Sequence, residues 1–277
     1  MDDALVDPHI HLLPGLDDGP PSLAAALDMA RQLRGDGVGT VICTPHFAPG
    51  YYANGRDRVL QAVARLHSAL ADASIDLEIL PGCEALAHPR LPELLARGEL
   101  PTLADRGRHV LLELPWTILG PQAPRYEAII EGLRDQGPAV ILAHPERYEL
   151  VHKNPDWLSA WVERGLLVQV NVEHLLASAQ TAVGRTARLL LQRSCVHLLG
   201  SDGHDTRRRP ANLGTALRQL AARYGDGLIA QATRNARAVA AGLAQPLAPL
   251  EPDAPLEPVE PTDPPAGCRR HPAGGRS

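Results

Sequence analysis

A chain of 277 residues, 44% hydrophobic and 21% charged, can bury one large core and has the make-up of a soluble globular protein. Its net charge of −5, from 27 Lys and Arg against 32 Asp and Glu, excludes a general nucleic-acid binder. No apolar run approaches the ~20 residues that span a bilayer, and the acidic start Met1-Asp2-Asp3 lacks the basic stretch of a secretory leader, so neither membrane insertion nor export is expected.

Apolar spacing predicts a strand over residues 4–10 and a loop over 14–21. Ser22 is a good N-cap for a helix over 23–33, which Gly35, Gly37 and Gly39 break. A buried-type strand over 38–44 ends in Pro45-His46, and a loop over 47–55 leads to a helix over 57–71. A strand over 77–80 ends in Pro81-Gly82-Cys83-Glu84, followed by a short helix over 91–97. The strand over 109–112 ends in Glu113, and a helix follows over 126–136. The strand over 139–143 ends in His144, with a helix over 156–164 behind it. The strand over 166–170 ends in Asn171, with a helix over 185–193. The last strand, 196–199, runs into Gly200-Ser201-Asp202-Gly203-His204, and two helices over 213–223 and 228–243 complete the series.

Seven alternating β/α units argue for a parallel sheet closed, or nearly closed, as a barrel over residues 1–244. From residue 245 the composition shifts to proline and acidic residues, then to glycine and arginine. Residues 245–277 are therefore expected to be a disordered Pro-rich tail. Cys43, Cys83, Cys195 and Cys268 form no CxxC pair, and the first three sit in or beside apolar runs. They read as buried small hydrophobes in a reducing compartment, the cytoplasm.

The polar residues that could bind metal fall into place on this scheme. His9 and His11 end the first strand, His46 follows the second, Glu84 the third, Glu113 the fourth, His144 the fifth, and Asp202 and His204 the seventh. In α/β barrels the active site is built on the rim at the C-terminal ends of the strands, so residues scattered through the chain would converge. With Asp18 the set is five histidines and four carboxylates, too many for one ion and free of cysteine. That suits two or three Mn, Fe or Zn ions rather than a structural zinc. Closely spaced ions lower the pKa of a shared water, which serves phosphoester hydrolysis, with amide hydrolysis the competitor. Arg147 and Arg209, close after His144 and His204, match a phosphate in geometry and charge. Arg207 and Arg208 read as surface charge.

Asp7-x-His-x-His, Thr44-Pro45-His46, Gly82-x-Glu84 and Ser201-Asp202-x-His204 resemble the polymerase-and-histidinol-phosphatase (PHP) superfamily. The runs Leu13-Pro14-Gly15-Leu16-Asp17-Asp18-Gly19 and His144-Pro145-Glu146-Arg147-Tyr148 are similar to the bacterial PHP-type protein-tyrosine phosphatases of capsular and exopolysaccharide operons. The resemblance covers roughly residues 5–243 and implies a distorted (β/α)7 barrel with three metal ions, commonly Mn2+; His, Asp and Glu ligands by themselves accept Mn, Fe, Zn or Co. It implies one ion on His9, His11, Glu84 and Asp202, a second sharing Glu84 with Glu113 and His144, and a third on Asp18, His46 and His204. It also implies phosphate binding by Arg147 and Arg209, and a substrate in the phosphotyrosine-bearing tail of a bacterial tyrosine kinase that controls polysaccharide synthesis and export. Two other readings stand beside it: a small-molecule phosphatase of the histidinol-phosphate type, against which Asp18 and Glu113 count, and a non-enzymatic, metal-stabilised binding module. Oligomerisation is compatible with each.

Overall fold

Ser22 begins the first helix as its side chain dictates: its backbone is extended, at φ −147° and ψ 162°, and its hydroxyl accepts from the Ala25 N–H. Helix α1 (Leu23–Gly35) buries Ala26, Met29, Ala30 and Leu33, the spacing of one helical face. The same logic recurs at α8 (Ala182–Gln192), where Thr181 caps the Gly184 N–H. The structure is a computed structural model that describes residues 4–117 and 120–256.

In chain order the described elements are β1 (Leu5–Ile10), α1, β2 (Val38–Cys43), β3 (His46–Phe47), α2 (Arg56–Asp72), β4 (Glu78–Pro81), β5 (Glu84–Leu86), α3 (Leu91–Ala96), β6 (His109–Glu113), α4 (Ala123–Arg134), β7 (Ala139–Ala143), α5 (Glu149–Lys153), α6 (Pro155–Glu163), β8 (Leu167–Asn171), α7 (Val172–Leu176), α8, β9 (Leu198–Gly200), α9 (Leu213–Tyr224) and α10 (Asp226–Ala241). All strand pairings within the two sheets, β1-β2-β4 and β3-β5-β6-β7-β8-β9, are parallel, as the strand–helix alternation predicts.

Two predicted strands are longer than periodicity suggested, and each is broken in the middle. Cys43 pairs with Pro81 and His46 with Glu84, both 38 residues apart, so β2–β4 and β3–β5 keep one register across the interruption. Pro45 has no N–H to give the ladder, which is reason enough for the gap. At the other edge, Ile10 bridges Gly203, the His11 N–H donates to the Gly203 carbonyl, and the Asp202 N–H donates to the His9 carbonyl. The first strand thereby meets the segment that follows the last. Helices α5 and α7, of five residues each, were not expected; they are single turns too short to carry a periodic signal.

Alternate residues along the strands go to opposite faces. Val41, Leu112, Val140 and Leu142 join the main core with the helices, whereas Ile42, Leu111 and Ile141 gather with Val6, Leu198 and Val239 of α10 in a second cluster. Among the described residues no helix is long and apolar enough to cross a membrane.

The expected disorder from residue 245 needs correction for residues 245–256, and residues 257–277 lie outside the described residues. Leu250 is fully buried and Leu247 nearly so. The Leu250 N–H donates to the Val196 carbonyl, the Asp253 N–H to the Tyr224 carbonyl, and the Asn235 side chain to the Ala248 carbonyl. Composition predicted no core here because prolines dominate; two well-spaced leucines and borrowed backbone partners suffice to dock an extended segment.

Candidate metal centre

The nine residues singled out as metal ligands converge at one end of the strands. His46 and Glu84 face each other in register on β3 and β5, with His46 Nδ1 3.1 Å from Glu84 Oε2. His9 and His11 reach the same carboxylate from β1, at 3.5 and 3.4 Å from Oε2. Asp202 Oδ1 lies 3.5 Å from both histidines. Tetrahedral ligands held ~2.1 Å from an ion lie about 3.4 Å apart, so His9 Nε2, His11 Nε2, Glu84 Oε2 and Asp202 Oδ1 are spaced as one ligand set. All four atoms are buried and have no hydrogen-bond partner. Buried polar atoms are normally satisfied, and a cation is the partner that two imidazole nitrogens and two carboxylate oxygens at this spacing suit.

Two further groups adjoin it. Asp18 Oδ1 lies 3.5 Å from His46 Nε2 and 3.3 Å from His204 Nε2, and these three together with His11 could hold an ion. His46, Glu84 and Glu113 form the third group. His144, expected on the second ion, sits beside it: its Nε2 is 2.7 Å from Glu84 Oε1 and 3.8 Å from Glu113 Oε1. Asp18 is half-exposed and marks the mouth of the site, while Glu84 and His9 are fully enclosed.

The electrostatics follow from this crowding. Burial works against charge on Glu84, yet His9, His144 and His11 hold its carboxyl well below the usual range. Burial likewise opposes charge on Asp202, and His9 and His144 pull it down. Burial and the neighbouring Glu84 push Glu113 up. On His11, burial is outweighed by Asp17 and Glu84, which raise it well above an ordinary histidine. Divalent ions would compensate the carboxylates and occupy the histidine lone pairs. Two of the candidate ligands also carry left-handed backbone, His144 at φ 31° and Asp202 at φ 52°. Such conformations cost free energy in a residue with a Cβ and concentrate at functional sites. Gly200 answers a different constraint: a Cβ there would meet the His9 Cβ at 2.9 Å.

Both predicted arginines reach the site, and both hold the same oxygen. Arg147 Nη1 is 3.3 Å and Arg209 Nη2 2.9 Å from Asp202 Oδ2. Arg209 Nη1 also approaches Asp18 Oδ2, at 3.5 Å. Arg207 and Arg208 are exposed, as expected of surface charge.

A family model described as capsular polysaccharide synthesis, CpsB/CapC, matches residues 5–240. The chain belongs to the CpsB/CapC family. It is 31% identical over 233 residues to the tyrosine-protein phosphatase YwqE of Bacillus subtilis (strain 168), covering 84% of this chain and 90% of that one. It is 26% identical over 229 residues to the tyrosine-protein phosphatase CpsB of Streptococcus pneumoniae, covering 80% and 91%. A solved structure from work on YwqE of Bacillus subtilis and CpsB of Streptococcus pneumoniae, described as unique metal-dependent tyrosine phosphatases, superposes with a TM-score of 0.78 at 28% identity, over 89% of this chain and all of that one.

In this CpsB/CapC member the residues that orient the candidate ligands were not assigned from the sequence. Asp17 Oδ2 lies 2.7 Å from His11 Nδ1 and also accepts from the His46 N–H. Gln169 Oε1 lies 2.8 Å from His9 Nδ1, and Gln169 donates to Asn171 Oδ1. Asn171 donates to Asp202 Oδ2. A carboxylate or carbonyl on the far nitrogen fixes which imidazole nitrogen faces the metal. The available signal was the alternation Gln169-Val170-Asn171 at a strand end, which puts both polar side chains on one face.

Proposed function

We propose that this chain is a metal-dependent protein-tyrosine phosphatase. The observation that carries the reading is the four-atom cage of His9, His11, Glu84 and Asp202, with Arg147 and Arg209 bonded to the outer oxygen of the same Asp202. A metal site and an anion site thus share one carboxylate. Family membership and relatives named tyrosine-protein phosphatase support the same activity.

In this reading His9, His11, Glu84 and Asp202 hold one divalent ion. Glu84, Glu113 and His144 hold a second, with His46 in reach, and Asp18, His46 and His204 hold a third, with His11 alongside. Mn2+ is the ion we favour, and Fe, Zn or Co also suit His and carboxylate ligands. Such ions, when bound, lower the pKa of water and offset negative charge on phosphoryl oxygens.

The side chains do the remainder. Arg147 and Arg209 hold the phosphoryl oxygens through planar, two-pronged contacts that lysine could not reproduce. Asn171 keeps Asp202 oriented as the arginines turn to substrate. The departing phenolate has a pKa near ~10, so the site needs no strong general acid. A cysteine nucleophile has no place: burial pushes the Cys43 and Cys83 thiols well above the usual range, and no cysteine precedes an arginine at the Cys-x5-Arg spacing.

The two sheets form one distorted (β/α)7 barrel of the PHP type, which the shared register of β2–β4 with β3–β5 and the Ile10–Gly203 bridge support. The substrate is the phosphotyrosine-bearing tail of a bacterial tyrosine kinase in polysaccharide synthesis and export, in keeping with the family's description. The enzyme works in the cytoplasm, in keeping with the free thiols of Cys43, Cys83 and Cys195.

The test is hydrolysis of a phosphotyrosyl peptide by metal-stripped protein reloaded with each ion separately. Activity should vanish with a chelator, return with Mn2+, and survive thiol alkylation. Activity that survives the chelator and dies on alkylation would overturn the proposal. Preference for histidinol phosphate over the peptide would move it to the small-molecule reading.

A further inference from the structure

Trp116 stands three residues beyond Glu113, where β6 reaches the rim, and it is 49% exposed. Its indole N–H donates to Glu113 Oε1 at 3.0 Å. The guanidinium of Arg147 lies over its ring, with Cζ 3.8 Å from the centroid. Trp116 is therefore pinned to one candidate metal ligand and stacked on one candidate phosphate-binding arginine. Tryptophan is highly buried on average, and this residue is half exposed beside Glu113 and Arg147.

Resting on the proposed phosphotyrosine activity, we propose that Trp116 is a specificity-determining residue that recognises the phenyl ring of the substrate. In an aryl phosphate the flat ring begins one atom from the phosphate. When Arg147 binds the phosphoryl oxygens, that ring must lie next to the guanidinium. The indole is contiguous with that guanidinium and offers an apolar, flat surface at the same place. Aromatic rings pair well with their centroids ~4.5–7 Å apart in offset or edge-on geometry, without demanding a particular peptide sequence around them. An alkyl phosphate, including phosphoserine, carries nothing to fill that position. Arg147 then reads the phosphate and Trp116 the ring, and their mutual stacking keeps the two readings at a set separation.

The test is calorimetric titration of the full-length, manganese-loaded chain with phenylphosphonate and with methylphosphonate, beside hydrolysis of a phosphotyrosyl peptide. Wild type, Trp116→Ala and Trp116→Phe are compared. Trp116→Ala should weaken phenylphosphonate about tenfold and methylphosphonate by less than about twofold, with Trp116→Phe close to wild type. KM for the peptide should rise in Trp116→Ala more than kcat falls. Equal weakening of both phosphonates would make Trp116 a mere support for Arg147 and overturn the inference, as would no change in either. Wild-type protein inactive on the peptide would overturn the proposed function and this inference together, whereas an active wild type with unaltered phenyl selectivity in Trp116→Ala overturns this inference alone.

Discussion

Arg209 Nη2 lies 2.9 Å from Asp202 Oδ2, the oxygen turned away from His9 and His11, while Oδ1 faces those histidines at 3.5 Å with no hydrogen bond of its own. The two oxygens of one buried carboxylate are divided between two tasks. Oδ2 is fully engaged by Arg209, Arg147 and Asn171, and Oδ1 is left for an ion. Removing either side of this arrangement should therefore have different consequences.

Arg147→Lys and Arg209→Lys should each lower kcat/KM on a phosphotyrosyl peptide by about 10²-fold, equivalent to roughly 2.7 kcal/mol of transition-state stabilisation. Lysine keeps the charge and loses the fork. Contacts that strengthen as charge develops should show in kcat as well as KM. Metal content, read by elemental analysis, should stay at the wild-type value. Full activity in both variants would mean that the phosphate is held without them.

His9→Ala and Asp202→Asn should abolish turnover and reduce bound metal, while far-UV circular dichroism stays unchanged. Both residues sit at strand ends rather than among the core hydrophobics. A variant that retained near-wild-type activity would remove that residue from the ligand set.

Asp17→Asn should weaken metal binding about 10–100-fold and leave the peptide kinetics near normal once metal is in excess. Asp17 holds His11 through Nδ1 and the His46 backbone N–H with the same oxygen, so it acts on two candidate ligands at once. Activity measured against manganese concentration separates this shift from a loss of kcat.

His197 should make stability fall in mild acid. Burial pushes its pKa down to about 4, and its Nδ1 accepts from the Val168 N–H, which requires the neutral ring. Above pH ~6.5 neither the folded nor the unfolded chain carries this proton. As pH falls from there toward about 4 the unfolded chain takes it up and the folded chain does not, so up to roughly 3 kcal/mol is lost across that window. Urea unfolding at pH 7.5, 6 and 5 should show a shallower decline in His197→Gln than in wild type; parallel declines would show that His197 does not titrate on unfolding.

Leu250→Ala should destabilise the protein by about 2–5 kcal/mol, as for other buried leucines. Truncation after residue 245 should lower Tm further, because it also strips the partners of Val196, Tyr224 and Asn235. Hydrolysis of a small phosphotyrosyl peptide well below Tm should be unaffected, since the hydrogen bonds of the described residues 246–256 run to Ser194, Val196, Tyr224, Gly227 and Asn235, which are not candidate ligands. A truncated chain with wild-type Tm would show that this docking contributes nothing.

The sequence by itself determined the strand–helix alternation, because burial on both faces makes a parallel strand read as an unbroken apolar run and a helix as a spaced one. It also singled out the candidate ligands: His9, His11, Glu113, His144, Asp202 and His204 lie at or just past the C-terminal ends of β1, β6, β7 and β9, His46 and Glu84 open the short strands β3 and β5 that continue β2 and β4, and parallel strands bring these places to one rim. Only the tertiary structure decided how these groups share one another. That Glu84 meets four histidines, that His46 reaches three carboxylates, and that Arg147 and Arg209 both settle on Asp202 Oδ2 depend on register and side-chain direction between segments far apart in the chain. The orienting roles of Asp17, Gln169, Asn171 and Trp116 were not legible for the same reason: the alternation Gln169-Val170-Asn171 puts two polar side chains on one face, but a hydrogen bond across 160 residues, such as His9 to Gln169, leaves no periodic trace in sequence. The docking of Leu250 escaped as well, because composition averages over a segment while burial is decided by where one side chain lands.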